Sequence, residues 1–288
     1  MKAIYFKELK NYFKTPLGYA FMAFMLVLFG IYFFLYGLYY QTADYTLVLN
    51  AVTMLILFAL PLLTMRMFSE EMRNKTDQLL FTSPVASWKI VLGKYFAAMT
   101  IFVIVLAITV TQPLLLTAFG ATPPTAKVIG GYIGFLMYGF AFISLGMLIS
   151  ALTENQLVAA LATIGLFMVI FLLDGIATLL PSDHLFQMIV VVIAILVVTF
   201  LIYRAIKDAY ISVIIGFVLV AAAVLLFFFV PSFYDNLLVR VTDWVSLVVR
   251  YNDFYTGVFD FSNVVFYLTF SALMVFLTIQ AIEKRRWS

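Results

Sequence analysis

Eight apolar segments divide this chain, and each is long enough to cross a lipid bilayer as a helix. A membrane-spanning helix needs roughly 20 residues to cover about 30 Å of hydrocarbon. The expected spans cover approximately residues 17–40, 47–65, 95–116, 128–150, 157–180, 185–203, 210–230 and 264–282. Because 65% of the residues are hydrophobic and 11% are charged, the chain cannot fold as a soluble globule, whose apolar share is about 45–50%. We therefore predict an all-α, polytopic transmembrane helix bundle of about eight spans that forms a single domain over residues 1–288.

Basic residues fix the predicted orientation, because short loops rich in Lys and Arg stay in the cytoplasm. With the N-terminus inside, fourteen of the 17 basic residues lie on the cytoplasmic side: Lys2, Lys7, Lys10, Lys14, Arg66, Arg73, Lys75, Lys89, Lys94, Arg204, Lys207, Lys284, Arg285 and Arg286. Lys127, Arg240 and Arg250 remain outside. We expect a multi-pass protein of the cell membrane with both termini in the cytoplasm.

The sequence contains few candidates for catalytic, metal-binding or nucleotide-binding residues. The chain has no cysteine, and its only Gly-Lys pair, Gly93 and Lys94, lacks the other residues of a phosphate-binding loop. His184 is the sole histidine, in the short outer turn "PSDH", and we expect a solvated loop residue there. Asp174 lies near the outer end of a span, where an acid indicates either a translocation path or a hydrated structural position. The sequence thus predicts no catalytic residue and no metal site.

The segment "SEEMRNKTDQLLFTSPVASWKIVLGK", residues 69–94, interrupts the apolar pattern after the second span. Over residues 68–80 the apolar side chains recur at helical spacing and the charged ones lie elsewhere, which predicts an amphipathic cytoplasmic helix. Ser83 and Pro84 predict the start of a second helix that leads into the third span. Two helices in one short connection indicate a contact with a partner, and an interfacial helix that anchors the bundle is the alternative.

Residues 68–95 resemble the first cytoplasmic loop of ABC-2 type permeases, in particular those of the gliding-motility and nitrous-oxide-reductase maturation branch. The positions that match are Glu71, Arg73, Thr76, Gln78, Leu79, Leu80, Thr82, Pro84, Val85, Ile90, Val91, Gly93 and Lys94. Lys75 stands where that family usually has glycine, which predicts a more continuous helix, and Ala86 replaces a usual Ser or Thr. Residues 1–16 resemble the family's interfacial elbow helix, and "FYTGVFDFSNVVFYLTFSALMVFLTIQAIEKRRW" resembles its last span with the terminal basic residues and Trp.

This resemblance implies a permease subunit of an ATP-binding cassette transporter, and specifically an exporter. It implies two copies of a separate ATPase subunit that hold ATP and Mg, and a second permease that is either a copy or a paralogue. The loop at residues 66–94 would be the coupling loop. Its implied ATPase-coupling residues are Glu70, Glu71, Arg73, Thr76, Gln78, Leu79, Leu80 and Pro84. We expect no cofactor and no nucleic acid on this chain itself.

The pair of spans at residues 185–230 is absent from the usual six-span permease, and we interpret it as an insertion. After it, residues 231–262 form an extracellular segment with apolar residues at helical spacing. We predict one half-immersed amphipathic helix there, which serves as a lid, as a platform for an extracellular accessory protein, or as a tether in contact with membrane lipids. A secondary transporter and a membrane assembly factor that transports nothing are the alternative functions.

Overall fold

The structure is a computed structural model that describes residues 1–76, 85–206 and 209–287. Every regular element in these ranges is helical, which confirms the predicted all-α, polytopic class. The α-helices are α1 (Lys2–Lys14), α2 (Pro16–Tyr32), α3 (Thr46–Thr64), α4 (Ser69–Arg73), α5 (Ser87–Thr109), α6 (Thr111–Ala118), α7 (Thr125–Leu152), α8 (Gln156–Leu179), α9 (His184–Ile206), α10 (Ala209–Phe229), α11 (Leu237–Val245), α12 (Leu247–Thr256) and α13 (Phe261–Trp287). A π-helix (Phe33–Tyr39) extends α2, and a 3₁₀ helix (Pro231–Tyr234) follows α10.

Seven helical stretches within the described ranges are long and apolar enough to cross a membrane. They are Pro16–Tyr39, Thr46–Arg73, Ser87–Ala118, Thr125–Leu152, Gln156–Leu173, Ser212–Phe229 and Phe261–Arg286. The sixth expected span coincides with α9, of which His184–Phe200 is a shorter apolar helix. An eighth span at that position therefore stays a prediction.

The chain forms two compact units, Met1–Phe171 with Leu247–Ser288, and Leu172–Ser246. We call them unit 1 and unit 2. Unit 2 contains the pair of helices that the sequence analysis interpreted as an insertion.

Helix α7 lies at the centre of unit 1, where α3, α5, α12 and α13 pack around it. Glycines let these neighbours approach closely, because a side chain at Gly139 would overlap the Phe102 ring and one at Gly146 would overlap Thr64. Small residues commonly occupy such helix contacts in membranes, where close packing replaces the hydrophobic driving force. The order of the helices around α7 thus depends on these contact positions.

A proline separates α1 from the first span. Pro16 is the first residue of α2, and Thr15 before it adopts an extended conformation, as a residue before proline does by preference. Helix α1 then packs along α5 of the same unit, with Tyr5 Oη 3.0 Å from Thr100 Oγ1. The chain thus begins with a separate helix at residues 2–14, in the place expected for the elbow helix at residues 1–16.

Three local expectations need correction. The helix after the second span ends at Arg73 instead of continuing past Lys75. Residues 85 and 86 are not helical, and α5 begins at Ser87, so no continuous helix leads from Pro84 into the third span. The segment predicted to be extracellular contains the expected amphipathic helix as α11, but this helix ends at Val245 before the extended Ser246, and a 3₁₀ helix precedes it and α12 follows it.

Candidate functional site

A buried lysine joins three segments at the end of unit 1 that carries both chain termini. Lys94 lies roughly two turns into α5, and its side chain is only 3% exposed. Its Nζ atom lies 2.9 Å from Glu71 Oε1 and 3.2 Å from Glu8 Oε1. The Phe68 ring lies under the same ammonium group, with 5.2 Å between Nζ and the ring centroid. A buried charge needs partners of this kind, because an uncompensated ion in an apolar interior is very costly.

Lys7 completes this group of charges at its rim. Its Nζ atom lies 3.6 Å from Glu8 Oε1 and 3.7 Å from Glu71 Oε1, but its side chain is 63% exposed. The contacts of Lys7 with Glu8 and Glu71 contribute little to stability, because solvent screens the exposed ammonium group. We call Lys7, Glu8, Glu71 and Lys94 the Lys94 cluster.

The packing of α1 against α5 brings Glu8 to Lys94. Gly93 leaves room for Ile4 of α1, because a Cβ atom at Gly93 would lie 3.0 Å from Ile4 Cγ2. Glu8 lies one helical turn beyond Ile4, on the buried face of α1. The neighbouring positions Gly93 and Lys94 thus receive an apolar and an acidic side chain from the same helix.

Helix α4 is held by the end of α7. The Ser150 hydroxyl accepts the backbone N–H groups of Phe68 at 3.1 Å and Ser69 at 3.2 Å, and it donates to the Met65 carbonyl at 3.1 Å. The first N–H groups of a helix have no partner within it, so Ser150 satisfies two donors at the start of α4. Helix α4 therefore has a fixed position on unit 1 despite its five residues.

The last turn of the final span contacts the same region. Arg285 of α13 pairs with Glu154 beyond the end of α7, and it also contacts the sulfur of Met72, which is buried in α4. Helix α4 is thus linked to α1, α5, α7 and α13 through side chains of unit 1.

Helix α4 ends in a Schellman motif, a pair of hydrogen bonds that closes the C-terminus of a helix. The Thr76 N–H group donates to the Glu71 carbonyl at 2.9 Å, and the Lys75 N–H group donates to the Met72 carbonyl at 3.1 Å. Lys75 adopts a left-handed backbone with φ of 56°. Glycine is the usual residue at the end of such a motif, because it adopts a left-handed backbone without strain, and here a lysine has that conformation.

The sequence-predicted coupling residues have different surroundings in the structure. Glu70 is partly exposed and lies 3.8 Å from Arg66, whereas Glu71 points to Lys94. Arg73 and Thr76 are exposed. Gln78, Leu79, Leu80 and Pro84 lie outside the described residues, as does the side chain of Asp174 in α8.

Sequence reasoning missed three residues of this site, which are Glu8, Lys94 and Ser150. The sequence analysis placed Lys94 just before the third expected span, at residues 95–116, and the structure places it about two turns inside α5, where a lysine requires an acidic partner. The sequence analysis considered it as part of an absent phosphate-binding loop, as a cytoplasmic basic residue and as a position of the family resemblance, and not as the partner of an acid.

A second ion pair lies at the opposite end of unit 1, between the first two spans. Asp44 pairs with Lys127 at the start of α7, and it accepts hydrogen bonds from the Thr46 N–H group at 3.0 Å and the Thr46 hydroxyl at 2.6 Å. Burial alone raises the pKa of the Asp44 carboxyl, but the bonds from Lys127 and Thr46 together outweigh it and lower this pKa below its ordinary 3.8. Lys127 also lies over the Tyr255 ring, with 5.3 Å between Nζ and the ring centroid.

Comparison with known families decides the class of this protein. The model of a family described as ABC-2 family transporter protein matches residues 2–184, which is 183 of the 288 residues. The chain belongs to the ABC-2 transporter family. Comparisons with curated proteins and with solved structures find no significant match. As an ABC-2 family member, the protein is a membrane transport component of the permease type, and the family associates with ABC ATPase subunits. The Lys94 cluster, α4 and Ser150 all lie within the matched range.

Proposed function

We propose that this protein is the permease subunit of an ABC-2 exporter and that it couples ATP hydrolysis by a separate ATPase subunit to movement of a substrate. The complex contains two ATPase copies and a second permease, either a copy or a paralogue, and both termini of this chain lie in the cytoplasm. Family membership supports the permease role. The exporter direction and the likeness to the gliding-motility and nitrous-oxide-reductase maturation branch rest on the resemblance of residues 68–95.

The observation that carries this proposal is that α4 has one face tied to the bundle and one face exposed. Glu71 and Met72 point inward, to Lys94 and to the contact with Arg285. Arg73 and the three residues that follow it are exposed. A force applied to the exposed side is therefore transmitted to α1, α5, α7 and α13, as transmission between packed rigid elements requires.

Two roles follow for the proposed coupling residues. Glu70, Arg73 and Thr76 contact the ATPase, and the resemblance assigns the same role to Gln78, Leu79, Leu80 and Pro84. Glu71 acts inside the permease, because its carboxylate is already paired with Lys94. Glu71→Lys would place two lysines together in the interior and destabilise the permease itself. A loss of ATPase binding in this variant would therefore not show that Glu71 contacts the ATPase.

Arg73 offers a cleaner test, because it is exposed and none of the ion pairs within the described ranges involves it. We expect Arg73→Glu to weaken binding of a co-expressed ABC ATPase by about 30-fold or more, since losing a charge at an interface costs about 2 kcal/mol or more. The matched control is Arg286→Glu, the same change at another exposed arginine of the termini end.

The assay is titration of the purified ATPase onto the permease in lipid nanodiscs, with ATP hydrolysis as a second measurement. The permease alone should hydrolyse no ATP. Equal ATPase affinity of the Arg73→Glu variant and the native chain, with normal insertion of both, would contradict the proposal. Equal loss in both variants would show a general charge effect instead of a coupling surface.

A further inference from the structure

An open apolar groove runs along unit 1 between α5 and α13, and α7 forms its floor. Its volume is about 350 Å³, which lies within the range of about 300–1,000 Å³ that small-molecule sites occupy. Residues from all three helices line it, including Leu92 and Met99 of α5, Met137 of α7, and Ala272, Phe276 and Ile279 of α13. Each of these helices belongs to a candidate membrane span, so the groove lies at the depth of the hydrocarbon core.

The polar groups in the walls of the groove are bonded within the protein. The Tyr95 hydroxyl donates to the Phe140 carbonyl at 3.1 Å, and the Tyr267 hydroxyl donates to the Leu247 carbonyl at 2.5 Å. Ser271, a third polar residue of the lining, is buried beside Tyr95. The surface that a bound molecule meets is therefore mainly hydrocarbon and methionine sulfur, which fits an apolar chain.

The dimensions of the groove indicate a single extended chain. Along α13 the lining reaches from Tyr267 to Ile279, which is about 18 Å at 1.5 Å per residue. This length is close to half of the roughly 30 Å hydrocarbon core of a bilayer. Spread over this length, the volume leaves a mean cross-section of about 20 Å². A helix with its side chains is about 10–12 Å in diameter and does not fit, whereas an acyl chain from one leaflet does.

The end of the groove nearest the chain termini is aromatic and basic. Trp88 lies one helical turn before Leu92 and is exposed, and the Lys89 ammonium lies over its ring, with 5.4 Å between Nζ and the ring centroid. On the opposite wall, α13 ends with three basic residues after one acid, Glu283. Tryptophan and basic side chains commonly lie at the level of the lipid headgroups, and basic residues there attract anionic lipid.

We propose that this groove binds one anionic phospholipid from the leaflet at the termini end, with an acyl chain between α5 and α13 and the phosphate beside Lys89. The narrow cross-section excludes a helix of a partner protein, and the basic end complements an anionic headgroup. The bound chain fills the space between the helix that carries Lys94 and the last span. The site does not depend on the proposed coupling to an ATPase.

Labelling by photoactivatable lipids tests occupation of the groove. The full chain is reconstituted in phosphatidylcholine nanodiscs with a small fraction of phosphatidylglycerol that carries a diazirine in one acyl chain, and labelled residues are mapped by mass spectrometry. We expect labelling of Met99 and Met137 in the native chain. Ala272→Phe places a ring in the groove and should lower this labelling several-fold. The matched control is Leu273→Phe, the same residue introduced at the next position of α13, which is exposed and outside the lining, and it should leave the labelling unchanged.

A second comparison tests the headgroup. Phosphatidylglycerol should label Met99 several-fold more than phosphatidylcholine that carries the same diazirine, because Lys89 attracts the anionic headgroup. Lys89→Gln should reduce this preference. Equal labelling by the two lipids in the native chain would contradict an anionic occupant.

Two other results would overturn the inference. Absence of labelling at Met99 and Met137 in the native chain would show that no acyl chain enters the groove, as when a protein segment covers it. Equal labelling of the native chain and Ala272→Phe would show that lipid reaches these methionines without occupying the groove. If Ala272→Phe does not insert, Ala272→Leu narrows the groove by a smaller change, and the same two results decide.

Discussion

Replacing Lys94 by methionine removes the buried positive charge between Glu8 and Glu71 while keeping a long apolar side chain. Two largely buried carboxylates then lose partners at 3.2 Å and 2.9 Å. Breaking a buried ion pair by removing one member costs about 3–5 kcal/mol, because the other charge stays uncompensated. Lys7 remains near both carboxylates, but an exposed lysine returns at most about 1 kcal/mol. We therefore expect Lys94→Met to lower the free energy of unfolding by about 3 kcal/mol.

The matched control removes all three buried charges at once, as Glu8→Gln, Glu71→Gln and Lys94→Met in one chain. Replacing a whole buried ion pair by neutral groups of similar shape is often close to neutral for stability. The triple variant should therefore regain most of the stability that the single variant loses. Unfolding in mixed micelles of a mild detergent and dodecyl sulfate, followed by tryptophan fluorescence, measures both changes.

Two results would refute this reasoning. A loss below about 1 kcal/mol for Lys94→Met would mean that water reaches the Lys94 cluster and screens it. A triple variant as unstable as the single one would mean that Lys94 acts through packing and not through charge. The triple variant should also still bind the ATPase, because its exposed Arg73 side is unchanged, and this separates the Lys94 cluster from the docking surface.

Two further predictions concern the end of α4 and the opposite end of unit 1. Lys75→Gly should stabilise the protein by about 1 kcal/mol, because glycine adopts the left-handed φ of 56° without strain. Lys75→Ala removes the charge but keeps the strain, so it should not stabilise the protein. Equal effects of the two substitutions in the same unfolding assay would contradict this prediction. Above about pH 4, Asp44→Asn should lower the free energy of unfolding by at most about 1 kcal/mol, because the charged carboxyl stabilises the fold above its ordinary pKa. That stabilisation is lost as the pH falls through the lowered pKa of Asp44, so the free energies of unfolding of the native chain and the variant should converge in acid. A difference that does not depend on pH would contradict the role of this charge.

Seven of the eight expected spans have a matching candidate in the described residues, because they depend on a local property, the length of an apolar run. The first expected span covers residues 17–40, and the structure has a candidate span at Pro16–Tyr39. The π-helix within it, Phe33–Tyr39, has no comparable signal. Its sequence, "FFLYGLY", is as apolar as the α-helical residues before it, so the apolar run does not distinguish the two kinds of helical turn.

The Lys94 cluster depends on contacts between distant parts of the chain. Glu8 and Lys94 are 86 positions apart in the sequence, and the packing of α1 on α5 brings them together. The sequence analysis placed Lys94 just before the third expected span, where a lysine can reach water and needs no acidic partner. The burial of Lys94 and the choice among the acids both require the fold, so the sequence analysis predicted neither the need for a pair nor its members.

The end of α4 shows how tertiary contacts override a local preference. Lysine is a better helix former than glycine by about 0.5–1 kcal/mol, and so its presence at position 75 favours a longer helix. In the structure, however, Met72 is buried, Glu71 is paired with Lys94, and Ser150 holds the start of α4. These contacts fix the direction of the helix, and the chain turns away at Lys75 because the combined contacts outweigh the small cost of one left-handed residue. The exposed residues Arg73 to Thr76 therefore project from a helix end whose position the bundle determines.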